Sequence, residues 1–214
     1  GALIGTLVTL LGLGFAGASG CGDTGESRDA AEAQGASESL GEARQAANAT
    51  PQECLTLRRG GPAKAYDTHL SLEKPATNFG AGSFAISGAS GIGDPDRFRA
   101  LFKFETALIP PNATITSATL SLSQTNNGAG TAKAHLALVP WDEAVVTWGS
   151  FGNAFNPVAF KSASTATASV VFNVAPQLQA WVSGSAPNHG FLIELPGVSQ
   201  TKIKTREFVL PNGR

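Results

Sequence analysis

From Leu55 onward the chain reads as short alternating runs broken by Gly, Pro or Asn about every ten residues, and this rhythm limits the fold more than any other feature. In residues 97–105 (RFRALFKFE), apolar side chains at Phe98, Ala100, Phe102 and Phe104 alternate with charges at Arg97, Arg99, Lys103 and Glu105. A period of two predicts a strand with one buried face. Residues 114–123 continue the pattern with Ile115, Ala118, Leu120 and Leu122, and residues 133–139, 168–174, 190–195 and 202–209 read as further strands. One helical stretch of about two turns stands out, APQLQAWV at 175–182, with Pro176 in its first turn and Leu178, Trp181 and Val182 able to pack onto a sheet. The body is therefore expected to be all-β, an antiparallel sandwich or barrel with one short helical turn.

The N-terminal quarter has a different composition. Residues 1–54 hold two basic and seven acidic side chains, a net of −5, whereas residues 55–214 hold 13 basic and 9 acidic, a net of +4. With only 14% of residues charged, a nucleic-acid binder driven by bulk charge is excluded, as are a coiled coil and a collagen. Residues 2–17 are apolar and uncharged, and shorter than the roughly 18–20 residues a spanning helix needs, so residues 1–20 are expected to be an export signal. The segment Ala18-Ser19-Gly20-Cys21 resembles a bacterial lipoprotein lipobox, which implies acylation of Cys21 and a location at the outer membrane or cell surface. Residues 21–54 carry almost no large apolar side chain and are expected to be an acidic, disordered tether, leaving 55–214 as the folded body. The chain contains no Met, from which we expect it to begin after its translational start.

Five ordered blocks resemble the DNRLRE (disaggregatase-related) domain family. They are Asp67-Thr68-His69-Leu70 with Asn78-Phe79-Gly80; Arg99 to Phe104 (RALFKF); Ile115 to Leu120 (ITSATL); Trp141-Asp142-Glu143 with Val146-Thr147-Trp148; and Val174 to Trp181 with Asn188-His189-Gly190-Phe191. The resemblance covers about residues 65–208. It implies a β-sandwich of jelly-roll type found in secreted and surface proteins, some of which are non-catalytic modules that bind acidic polysaccharides such as alginate. Family members continue into a further strand after the region of residues 202–208, so the sandwich is expected to lack its last strand and to leave a sheet edge open to another chain.

Candidate chemistry is sparse. His69, His135 and His189 are far apart, with no transition-metal spacing, and no nucleophile elbow is present. Asp94 and Asp96 in one turn form the only metal candidate, a structural calcium site; no other cofactor is expected. Arg97, Arg99 and Lys103 share one face of a predicted strand, and Lys202, Lys204 and Arg206 share one face of another. Adjacent, these faces would form a cationic stripe for carboxylate-bearing polymers. Trp141 and Trp148, next to polar residues, are candidates for stacking on sugars, against the alternative that they plug one end of the sandwich. Cys54 is left without a partner if Cys21 is acylated, and is a candidate for intermolecular pairing. The leading expectation is a surface-anchored, non-enzymatic module for acidic polysaccharide. The second is an assembly subunit joined through a sheet edge or Cys54, and the third an accessory domain of an enzyme that degrades matrix glycans.

Overall fold

The alternating strands build two antiparallel sheets around one core. The structure is a computed structural model that describes residues 7–12, 54–58, 64–89, 97–126, 130–197 and 200–205. Eleven strands are β1 (Leu7–Gly12), β2 (Cys54–Arg58), β3 (Ala65–Ser71), β4 (Phe84–Gly88), β5 (Phe98–Phe104), β6 (Ile115–Ser123), β7 (Thr131–Leu136), β8 (Lys161–Ser164), β9 (Ser169–Asn173), β10 (Phe191–Glu194) and β11 (Gln200–Lys204). Two helices join them, α1 (Trp148–Phe151) and α2 (Ala175–Val182). Helix α2 is the helical turn read from the sequence, while α1 is a single additional turn capped by Thr147, whose hydroxyl accepts from the Ser150 N–H.

The smaller sheet has the order β2-β1-β6-β9, and the larger runs β11-β4-β5-β10-β7-β8 with β3 paired to β5. Leu57, Ala118, Leu120, Leu122, Val170 and Phe172 from the first sheet pack against Ala100, Phe102, Ala134, Phe191, Ile193 and Ile203 from the second in a single cluster. That shared core makes the protein an all-β sandwich. In β6 and β9 the alternation works as expected, with Leu120, Leu122, Val170 and Phe172 buried and Val171 exposed. Helix α2 closes one end of the core with Leu178 and Val182, and Trp181 lies 4.8 Å from the Phe191 ring. Gln179 fixes the helix to β6, its carbonyl accepting from the Ile115 N–H at 2.7 Å.

Two features depart from the sequence reading. First, Leu7–Gly12 lies within the run assigned to an export signal, yet its backbone is hydrogen-bonded between β2 and β6. An uncharged apolar run suits the middle of a sheet as well as an export signal. Strand β2 likewise begins at Cys54, the last residue of the expected tether. Second, the outer face of β5 is not solvated. Leu101 is fully buried there in a second apolar cluster with Leu70, Trp141, Val146, Phe151, Phe155 and Leu192.

Burial sets the expected cost of disrupting the main core. Leu120→Ala should lose about 2–5 kcal/mol in urea unfolding, because Leu120 has no exposed surface. Val171→Ala, half exposed on the same sheet, should change stability by less than about 1 kcal/mol. Equal losses at the two positions would mean that this sheet does not face the core as described.

Candidate functional site

The second cluster is a lid formed by residues 138–156 lying across the outer face of β5, with α1 at its centre. Backbone bonds close its base, from Leu138 N–H to the Ala154 carbonyl at 2.9 Å and from Asn156 N–H to the Leu136 carbonyl at 2.9 Å. Two Asn-x-Gly turns hold it down. Asn78 donates its amide to the carbonyls of Glu143 and Val146, both at 2.8 Å, and accepts from the Gly80 N–H. Asn188 donates to the Phe104 carbonyl at 2.8 Å and accepts from the Gly190 N–H, while the Trp141 indole N–H donates to the His189 carbonyl. Each side chain thus closes its own turn and reaches a distant strand or loop. The glycines are required: a Cβ on Gly80 would lie 2.1 Å from the Glu143 carbonyl oxygen, and one on Gly190, at φ +81°, 2.2 Å from that of Phe102.

Beneath the lid lie two cation sites, one on each side of Leu101. At the first, Arg99 donates from Nε to Glu194 at 2.7 Å and from Nη1 to Asn153 Oδ1 at 2.9 Å. Its guanidinium carbon is 4.4 Å from the Trp148 ring centroid and 4.7 Å from that of Phe155. The planar fork and two aromatic faces suit arginine and not lysine. His135 completes this group, donating from Nδ1 to the Asn156 carbonyl at 2.8 Å and placing Nε2 3.6 Å from the second oxygen of Glu194. At the second site, Lys103 Nζ lies 4.6 Å from the Tyr66 ring centroid and 5.0 Å from that of Trp141, and donates to the Trp141 carbonyl at 3.1 Å.

The two sites differ in access. Arg99 is half-buried, its carboxylate partner supplied by β10 and its amide and ring partners by the lid. Lys103 borders an open cleft of about 410 Å³ whose walls include Tyr66, Glu105, Thr106 and Asn188. The Tyr66 hydroxyl donates to Glu105 at 2.8 Å across it. An ammonium has three N–H donors, so the bond to Trp141 leaves Lys103 able to bind an oxygen ligand in the cleft.

The sequence-predicted residues are not assembled as expected. Arg99 and Lys103 do share a face, but aromatic rings cover it, so no bare cationic stripe runs along β5. Arg97 is exposed just before the strand. Lys202 and Lys204 stand in register with Ile86 and Phe84 of β4 at the far side of the sheet, with Lys202 exposed. Trp141 is buried with one face toward Lys103, and Trp148 carries Arg99. Both support the lid. Asp94, Asp96, Arg206 and Cys21 lie outside the described residues. Among the described residues no cluster of three or more His, Cys, Asp or Glu side chains could hold a metal ion, and no helix is long and apolar enough to cross a membrane. Sequence reasoning missed Tyr66, Glu105 and Asn188 as cleft residues. The alternation placed Lys103 on a strand but gave none for Tyr66, which pairs with Lys103 in register.

The fold and cleft define the class as an all-β sandwich with a lidded outer sheet face. The chain matches no protein-family model and no curated protein sequence.

The half-buried Arg99 gives the sharpest test of the lid. Arg99→Lys keeps the charge but loses the fork and both ring contacts, and should cost about 1–3 kcal/mol in urea unfolding. Tryptophan emission should shift toward that of exposed indole as Trp148 loses its partner. An unchanged midpoint and spectrum would show that the guanidinium does not hold the lid.

Proposed function

We propose that this protein is a non-catalytic module that binds acidic polysaccharide, held at a cell surface through acylated Cys21, and that its body is a DNRLRE-type domain. The observation that carries this reading is the open cleft in which the Lys103 ammonium lies between the Tyr66 and Trp141 rings, beside Glu105 and Asn188. A uronate presents a carboxylate for the ammonium and hydroxyls for Glu105 and Thr106. The net charge of +4 on residues 55–214 favours an anionic polymer at longer range. Arg97 and Lys202, both exposed, add to this field without belonging to the cleft.

Affinity electrophoresis tests the reading. Mobility should fall in gels containing alginate or pectate, recover as salt is raised, and be unaffected by a neutral glucan. Lys103→Met should weaken retardation about tenfold, or roughly 1.4 kcal/mol, with tryptophan emission confirming that the lid is intact. Unchanged mobility of the wild type across a panel of acidic glycans would overturn the proposal. Full retardation of the Lys103 variant would place binding elsewhere than the cleft.

A further inference from the structure

The cleft wall continues one residue before β3. The Glu105 N–H donates to the Lys64 carbonyl at 2.9 Å, which extends the β3–β5 ladder one step past the pairs Ala65↔Phe104 and Tyr66↔Lys103. Ala65 and Phe104 pack in the main core, so alternation puts Lys64, Tyr66, Lys103 and Glu105 together on the outer face of the two strands. These four side chains form a square with the two cations at one pair of opposite corners. Tyr66 and Glu105 hold the other pair, tied by the hydroxyl's donation to the carboxylate at 2.8 Å. Lys64 is exposed, and its neighbours along and across the strands, Tyr66 and Glu105, both line the cleft.

We infer that Lys64 is a second carboxylate-binding residue of the cleft, so that the site takes two acidic units of one sugar chain, one on Lys103 and the other on Lys64. The inference rests on the proposed reading of the cleft as a uronate site and adds the length of chain it recognises. Diagonal positions on paired strands lie about 7–8 Å apart, too far for one carboxylate to serve both ammonium groups from a single place, so the square calls for two acidic groups. What stands between them decides the rest of the ligand. The Tyr66–Glu105 bond crosses that space and fixes a ring and a carboxylate there, so a third acidic group at the centre is repelled, while a sugar ring with its hydroxyls finds an aromatic edge and an acceptor. A chain whose carboxylates are separated by uncharged sugar has this pattern. The two cations are also held differently. Lys103 is fixed by the Trp141 carbonyl and two rings and sets the first unit, whereas Lys64, on a flexible stem at the rim, adapts to the second.

Chain length supplies the test. The full chain is titrated calorimetrically with galacturonate and mannuronate oligomers of increasing length, starting from the single sugar. Lengthening from one unit to three should tighten binding about three- to fivefold, the range of one exposed ion pair, and further units should add little. Lys64→Met should abolish this gain and leave the affinity for the single sugar unchanged, and Lys64→Arg should restore the gain. Lys103→Met should weaken every length. Lys133→Met, which removes an exposed cation from β7, should alter none of them and so separates a local contact from the general attraction of the body for polyanions. Circular dichroism matched to the wild type confirms that each variant is folded. A Lys64→Met protein that keeps the gain with length, or that loses affinity equally for one unit and for three, would overturn the inference and leave the uronate reading of the cleft standing. Absence of wild-type binding at every length would overturn both.

Discussion

A sheet strand whose second face carries two cations can be covered on both sides only where the covering segment and the neighbouring strands bring a partner for each charge. Strand β5 is in this position. Its inner face places Ala100, Phe102 and Phe104 in the main core, and its outer face places Leu101 in a second core between Arg99 and Lys103. The lid and the neighbouring strands β10, which carries Glu194, and β3, which carries Tyr66, meet the charges differently. Arg99 receives a carboxylate, an amide oxygen and two ring faces. Lys103 receives one carbonyl and two rings and keeps contact with a cleft. A buried charge without such partners would cost several kcal/mol, so the lid residues Trp148, Asn153 and Phe155 are bound to the choice of Arg99, and the positions of the two Asn-x-Gly turns follow from the need to hold the lid there.

The same constraint extends to the sheet edge. Among the described residues strand β3 pairs with β5, and its buried residues 67–71 also meet the lid. Glu143, carried by the lid, accepts the Asp67 N–H at 3.0 Å and so caps part of that edge. Asn78 holds the Glu143 carbonyl from the opposite direction, and Gly80 allows the close approach. One loop therefore buries an outer sheet face and protects an edge strand against pairing with other chains. The edge protection is specific to the larger sheet, and it contrasts with the smaller sheet, whose interior strand comes from the far N-terminal end.

How much of this could be read beforehand depended on the number of faces each strand buries. Strands β6 and β9 were legible because each shows the main core an apolar face at a period of two, β5 because the period survives the single interruption at Leu101, and β10 because it is a short continuous apolar run. Helix α2 was legible to the residue, from Pro176 at its start and the spacing of Leu178 and Val182. Strand β3 was not, since Asp67, Thr68, His69, Leu70 and Ser71 are all buried and a strand covered on both faces loses its alternation. The covered face of β5 left two traces in the sequence. Leu101 interrupts the charged positions, and residues 141–155 carry Trp141, Trp148, Phe151 and Phe155, more aromatic surface than a solvated loop tolerates. Read together they call for a lid; read as separate motifs they suggested ligand contacts. The Asn-x-Gly turns were seen as family signatures, but their physical purpose, tying distant segments through one amide, depends on contacts 65 to 84 residues away.

The relocation of the cations changes what kind of binding surface the fold can offer. A stripe of solvated lysines and arginines on a flat sheet binds polyanions weakly and with little discrimination, because each contact is screened and each side chain must be ordered on binding. Lys103 is held in place before any ligand arrives, by two rings and a carbonyl, so less rotamer freedom remains to be lost. The Tyr66–Glu105 bond fixes a hydroxyl and a carboxylate beside it in the same way. Under the proposed function, a ligand in this cleft would meet one ordered cation flanked by an ordered carboxylate, an arrangement that disfavours bare multivalent anions such as phosphate and suits a molecule that carries both a carboxylate and hydroxyl donors. On that proposed reading specificity would reside in the cleft, while the exposed Arg97 and Lys202 would contribute attraction that depends on salt and reads only the sign of the charge.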